Sequence, residues 1–252
     1  MPDQTVIKFD RNGHPETGMV TWDEIPAELI QSGSPVQTGH EYFTTDNGKL
    51  TAGVWDCTAH QLKPGPYEVD EFIIVLDGSI LIEDDAGNTE TYSAGESFIL
   101  PKNLNCCWKQ TEYTRKFYVI YDNPSSQKTA DPTSLSAFRI DPSQALPAVT
   151  EHDASAYLSD IPQMGLLSLY SDPSGQFQVG VLDCSPMKRV PATIARSELM
   201  HILEGSGSIT NADGVVFNFS VGDTFLVPIG MGYQWQNDEY VKKLFCSYTP
   251  KS

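Results

Sequence analysis

Paired metal-binding and redox residues are missing from this 252-residue chain. Its five histidines and five cysteines form no His-x-His and no Cys-x-x-Cys pair, the spacings that grip a cation or carry dithiol chemistry. An odd cysteine count argues against a disulfide framework, so free thiols are expected. Basic residues are scarce: 16 Lys and Arg stand against 33 Asp and Glu, a formal charge of −17. Such a surface repels phosphate backbones and anionic lipid, which excludes nucleic acid and membrane as expected partners. No apolar run approaches the roughly 18–20 residues that cross a bilayer. The opening MPDQTVIKFD has no basic region followed by an apolar stretch, so no secretory signal is read and a cytoplasmic location is expected.

What is present is a duplication. The segment from Glu71 to Trp108 returns, without a gap, from Glu198 to Trp235. Glu71 and Glu198, Gly78 and Gly205, Gly95 and Gly222, Pro101 and Pro228, and Trp108 and Trp235 all stand 127 positions apart. Each copy reads as Glu, an apolar strand ending in Gly, a turn, a second Gly, another apolar strand, Pro, then an aromatic-rich strand. Hydrophobic residues make up 40% of the chain, and 19 Gly and 17 Pro punctuate short segments. That pattern favours an all-β protein.

Strands are expected over Lys49–Cys57 and His60–Tyr67, the latter bent by Pro64-Gly65-Pro66. EFIIVL at 71–76 is apolar on both faces, as for a strand buried on both sides. SILIED turns at Asp85-Ala86-Gly87 and returns through TETYS as a hairpin. SFIL, NCCWKQ and RKFYVIY follow. Segments of this length between turn signals are the signature of a sandwich or barrel. Residues 1–45 read as irregular, with VIKF as a short strand and one helical turn within WDEIPAELI. FRIDP at 138 echoes IKFDR at 7, out of register with the 127-residue repeat. These signals divide the chain into a first barrel with its N-terminal arm (1–121), a Pro/Ser-rich linker (122–135) and a second barrel (136–252).

The glutamates, glycines and prolines resemble the cupin motifs. Glu71-x6-Gly78 with Gly95-x5-Pro101, and Glu198-x6-Gly205 with Gly222-x5-Pro228-x-Gly230, match the non-histidine skeleton of that family. Gly53-Val54-Trp55-Asp56-Cys57, Asp70-Glu71-Phe72 and the tryptophan seven residues past Pro101 are most similar to the ureidoglycine aminohydrolase-like and ethanolamine-utilisation cupins. The resemblance spans about residues 45–121 and 172–249. It implies two tandem cupin barrels, each a double-stranded β-helix or RmlC-like jelly roll. It also implies a barrel metal held by three imidazoles and a carboxylate. Here the first two histidine positions fall near Gly65 and Tyr67, and near Ala192 and Ile194. The last falls on Cys106 and on Tyr233. Only Glu71 and Glu198 remain, so no metal and no other cofactor is expected.

Strand parity selects the interior. Residues two apart share a face, which sends Glu71, Ile73, Cys106 and Trp108 into the first barrel, with Tyr67 beside them. Glu198, Met200, Tyr233 and Trp235 enter the second. A glutamate in an apolar barrel must pair, hydrogen-bond or take up a proton. Glu71 beside Tyr67 forms a candidate acid–base couple. Cys106, Trp108, Glu198, Tyr233 and Trp235 are candidate ligand contacts. Arg115-Lys116 and Lys242-Lys243 recur at the same offset and read as solvated strand charges or contacts for an anion.

The expected function is small-molecule binding tied to catabolism of a small polar metabolite. Two alternatives stand beside it: a metal-independent isomerase, epimerase or lyase using Glu71 and Tyr67, and a metal-dependent aminohydrolase of the ureidoglycine type. A monomer or a homodimer is expected, since tandem barrels build internally the pair that single-barrel chains make by dimerising.

Overall fold

Gly and Pro cut the sequence into segments of two to eight residues, and nearly all of them form antiparallel strands. The computed structural model describes residues 5–123 and 135–251. Among these residues there is no α-helix, only two single turns of 3-10 helix at Ala27–Leu29 and Ala154–Ala156. No helix is long and apolar enough to cross a membrane.

One unit comprises residues 10–141. Its larger sheet runs in the order Phe138–Ile140, Ser97–Leu100, Asp70–Asp77, Thr114–Tyr121, Leu50–Cys57, Gln37–Thr44 and Val20–Thr21. The opposing sheet is built from Thr89–Ser93, Ser79–Asp84, Asn105–Gln110, His60–Leu62 and Ile30–Gly33, with Gly65–Pro66 also on Asn105–Gln110. Between the sheets lies an apolar core around Trp55, Ile73, Val75, Ile80, Phe98 and Trp108. The hairpin turn falls where expected, between Asp84 and Thr89, with Gly87 at φ +82°.

The other unit comprises residues 1–9 and 142–252. Its larger sheet runs Ile7–Phe9, Thr224–Val227, Ser197–Glu204, Val241–Tyr248, Phe177–Cys184 and Met164–Ser171. Met187–Lys188, Gly232–Asn237, Ser206–Asn211 and Val216–Ser220 form the opposing sheet, with Ala192–Thr193 also on Gly232–Asn237. Met200, Ile202, Ile209, Phe225 and Trp235 fill the space between. The two units are copies of one another. Asp70–Asp77 and Ser197–Glu204, Asn105–Gln110 and Gly232–Asn237, and Thr114–Tyr121 and Val241–Tyr248 all keep the 127-residue offset.

Three sequence expectations change here. Residues 1–45 are not irregular, for Gln37–Thr44 is a full eight-residue strand against Leu50–Cys57. Its mixed polar and aromatic composition hides a strand with one solvated side. The expected strand at 60–67 is two short pieces, His60–Leu62 and Gly65–Pro66, because proline lacks the N–H that would continue the ladder. The boundary near 136 also moves. Phe138–Ile140 pairs with Ser97–Leu100 in the first copy, and Ile7–Phe9 pairs with Thr224–Val227 in the second. The echo between IKF and FRI is therefore a pair of exchanged edge strands, each covering the same ladder of the other copy. Covering an open ladder satisfies backbone groups that an edge strand would otherwise expose. The linker at 122–135 falls mostly outside the described residues.

Candidate functional site

Adjacent residues on a strand point to opposite faces, so Arg115 and Lys116 cannot both be solvated on one side. Arg115 turns outward and pairs with Asp56, Nη2 to Oδ2 at 3.1 Å. Lys116 turns into the barrel, where its Nζ lies 2.8 Å from Oε1 of Glu71. Both side chains are nearly sealed from solvent, 8% exposed for Lys116 and 1% for Glu71. The ladder shifts register between Arg115 and Lys116, a bulge that sits opposite the end of the Glu71 strand. Lys116 Nζ also lies 4.8 Å from the ring centre of Trp55 and 4.6 Å from that of Trp108. The two indole faces supply the negative charge that water would have offered the ammonium. Tyr67 completes the cluster by donating its hydroxyl to Oε2 of Glu71. Burial, reinforced by the charge on Glu71, holds the Tyr67 phenol well above its ordinary pKa, so it remains a proton donor.

A cavity of about 280 Å³ opens on this cluster. Glu71, Lys116 and Tyr67 form one side, with Trp55, Tyr118 and Trp22 as aromatic walls and Glu41, Thr51 and Ile120 completing the lining. Glycine permits two of these contacts. A Cβ on Gly39 would fall 2.3 Å from the Trp22 ring, and one on Gly53 would fall 2.5 Å from the Tyr118 hydroxyl. Trp22 thus lies flat on bare backbone and meets Tyr118 edge-on at 6.1 Å. The Tyr118 side chain is buried, its phenol driven upward in pKa by burial and then by Glu41 and Glu71. Its hydroxyl has no hydrogen-bond partner among the described residues, and the residue lines the cavity.

The second copy builds the same ion pair with different surroundings. Lys243 Nζ lies 2.9 Å from Oε1 of Glu198 and 5.0 Å from the Trp235 ring centre, with the Met200 sulfur at 3.1 Å. Arg196 replaces tyrosine as the second donor, with Nε 2.5 Å from Oε2 of Glu198. Burial alone would raise the Glu198 pKa, but the two cations override it and hold the carboxyl below its ordinary value. The cavity here is only about 60 Å³. Met164, Leu182, Met187 and Ile194 line it together with Arg189, Tyr233 and Trp235.

The structure brings Glu71 and Tyr67 together as expected from the sequence. Glu198, Tyr233 and Trp235 also share one cavity. Cys106 and Trp108 belong to the barrel core rather than the cavity wall. Burial raises the Cys106 thiol to about 11, which keeps it protonated and a poor nucleophile. All five cysteines are free and buried. Sequence reasoning missed Trp22, Trp55, Tyr118 and Arg196, and it read Lys116 and Lys243 as solvated charges or contacts for an anion rather than as buried partners of Glu71 and Glu198. For the two lysines the signal was available: two adjacent cations on an apolar strand must split between its faces.

The residues do not fit a divalent metal. Cys106 faces Gly65 across the ladder and Tyr233 faces Ala192, so these histidine positions carry no imidazole. Among the described residues no three His, Cys, Asp or Glu side chains converge. Each glutamate already spends both oxygens on other donors, one of them an ammonium that would repel a second cation.

Two facing antiparallel sheets, repeated in tandem around an interior carboxylate, define a bicupin. The EutQ-like cupin domain matches residues 44–118 and 171–245. The chain belongs to this family. No curated protein matches it. Among solved structures, a DUF861-family protein of unknown function from Pseudomonas syringae pv. tomato superposes with a TM-score of 0.77 at 20% identity, covering 97% of this chain and 100% of its own. Protein Ylba from E. coli, also DUF861, gives 0.57 at 13% identity, with 98% and 95% covered. Salicylate 1,2-dioxygenase from Pseudoaminobacter salicylatoxidans gives 0.51 at 14%, with 79% and 71% covered. At these identities the likeness is one of fold.

Proposed function

We propose that this bicupin binds a small polar molecule in the cavity of its first barrel, with the Glu71–Lys116–Tyr67 cluster taking the place of a metal centre. The observation that carries this reading is the contrast between the copies: about 280 Å³ of lined space in the first barrel against about 60 Å³ in the second. Ligand sites are concave, mostly apolar and furnished with a few converging polar groups. The first cavity has that make-up. Trp22, Trp55 and Tyr118 offer aromatic faces for stacking, while the Tyr118 hydroxyl and the Glu41 carboxylate offer polar contacts. The ligand class is a compact polar metabolite, and a link to its catabolism follows from the expectation raised by the sequence.

The test is a titration of the intact protein with ureides, amino acids and sugar acids, followed by tryptophan fluorescence and thermal shift in the presence of chelator. A ligand should quench the cavity tryptophans and raise Tm. Tyr118→Phe should weaken it about 2- to 12-fold, the worth of one hydrogen bond of about 0.5–1.5 kcal/mol. Glu71→Gln should weaken it as well. Affinity that ignores both substitutions refutes the placement.

A second reading is favoured by the Tyr67–Glu71 hydrogen bond on the cavity wall. In this reading Glu71 takes a proton from one atom of the bound ligand and Tyr67 delivers one to another, the Tyr67–Glu71 hydrogen bond returning the proton so that both residues end as they began. The step calls for Lys116 to loosen its hold on Glu71, since an ion-paired carboxylate is a poorer base. Turnover in chelator that disappears in Glu71→Gln and Tyr67→Phe supports it, and binding without turnover supports the first reading.

A further inference from the structure

We propose that the cavity of the second barrel is a separate site for a short aliphatic carboxylate. The lining carries an unusual charge for this molecule. In a chain of net charge −17, Arg189, Arg196 and Lys243 meet in one cavity against a single carboxylate, Glu198. Lys243 and Glu198 neutralise each other. Arg196 engages Glu198 through Nε and is about half exposed at its side chain. Arg189 lies over the ring of Tyr157 at 5.6 Å and pairs with no carboxylate among the described residues. Two guanidinium groups thus line a cavity whose one carboxylate is already neutralised by Lys243.

The first copy has nothing comparable. The positions 127 residues before Arg189 and Arg196 are Leu62 and Val69. The guanidinium groups therefore belong to the second barrel alone and are not part of the shared scaffold.

The class of anion follows from the rest of the lining. A guanidinium fork matches the two oxygens of a carboxylate or phosphate equally well. Met164, Met187, Ile194 and Met200, however, make the inner wall apolar, and methionine walls adapt to small alkyl groups. The volume of about 60 Å³ equals roughly two waters at about 30 Å³ each. That is room for about two non-hydrogen atoms, an ethyl tail, with its charged head among the arginines, of which Arg196 is about half exposed. Inorganic phosphate would leave the apolar wall unfilled and sacrifice its own hydration. Polar dianions are disfavoured for the same reason.

The experiment is calorimetric titration of the full chain with sodium propionate, against sodium phosphate and sodium chloride at matched ionic strength. Propionate should bind and the two inorganic salts should not. Arg189→Gln should weaken propionate at least tenfold, and Arg189→Lys, which keeps the charge and loses the fork, should fall between. Arg196→Gln gives an independent check should either Arg189 variant fold poorly. Glu16→Gln, an exposed residue outside both cavities, should leave propionate affinity unchanged. Phosphate binding as tightly as propionate would overturn the assignment, as would propionate affinity indifferent to all three arginine substitutions.

Discussion

Removing the buried ammonium tests the structural core of this account. Lys116→Met deletes one charge of a pair whose side chains are 8% and 1% exposed, and replaces it with an apolar chain of similar length. Glu71 then keeps only the Tyr67 hydroxyl. Stranding one member of a buried pair costs about 3–5 kcal/mol. The contact of the ammonium with Trp55 and Trp108 is lost as well, worth about 0.5–2 kcal/mol. In a unit of residues 10–141, where 1 kcal/mol moves Tm by roughly 2–5 °C, the transition of that barrel should fall by about 10 °C or more at pH 8. The double variant Glu71→Gln with Lys116→Met removes both charges, and its loss should be much smaller than the sum of the two singles. Calorimetric melts of the four proteins supply the cycle. Additive losses would refute the buried pair.

Other outcomes follow from the same geometry. Glu198 is held below its ordinary pKa in the folded state, so its contribution is present above about pH 4.5 and is lost as pH falls through the lower folded value. Glu198→Gln should therefore flatten the acid limb of the stability curve of the second barrel. Cys106, with its thiol raised to about 11, should react with a disulfide reagent at pH 8 only as fast as the barrel opens, and at the free-thiol rate in denaturant. Gly39→Ala should cost about 1–3 kcal/mol and change tryptophan emission, because the added methyl displaces Trp22. A neutral Gly39→Ala would mean that Trp22 does not rest on that backbone.

The repeat carried the fold. A constant 127-residue spacing of Glu, Gly, Pro and Trp, with strand-length apolar runs between turn residues, requires two similar β units whatever their contacts. Parity then placed Glu71, Tyr67, Glu198, Tyr233 and Trp235 inside, because alternation along a strand is local geometry that a sequence can express. The absence of imidazoles was equally visible.

Tertiary structure alone decided which groups meet. Lys116 stands 45 residues from Glu71 and reaches it through a neighbouring strand whose register shifts beside it. The sequence offers no distance between them. Trp22 and Glu41 arrive from a segment that reads as irregular and prove to close the cavity. The exchange of Ile7–Phe9 and Phe138–Ile140 was written only as an echo out of step, since which ladder an edge strand covers depends on where the chain travels afterwards. The difference in volume between the two interiors depends on many side chains at once, and packing of that kind exists only when the sheets have closed.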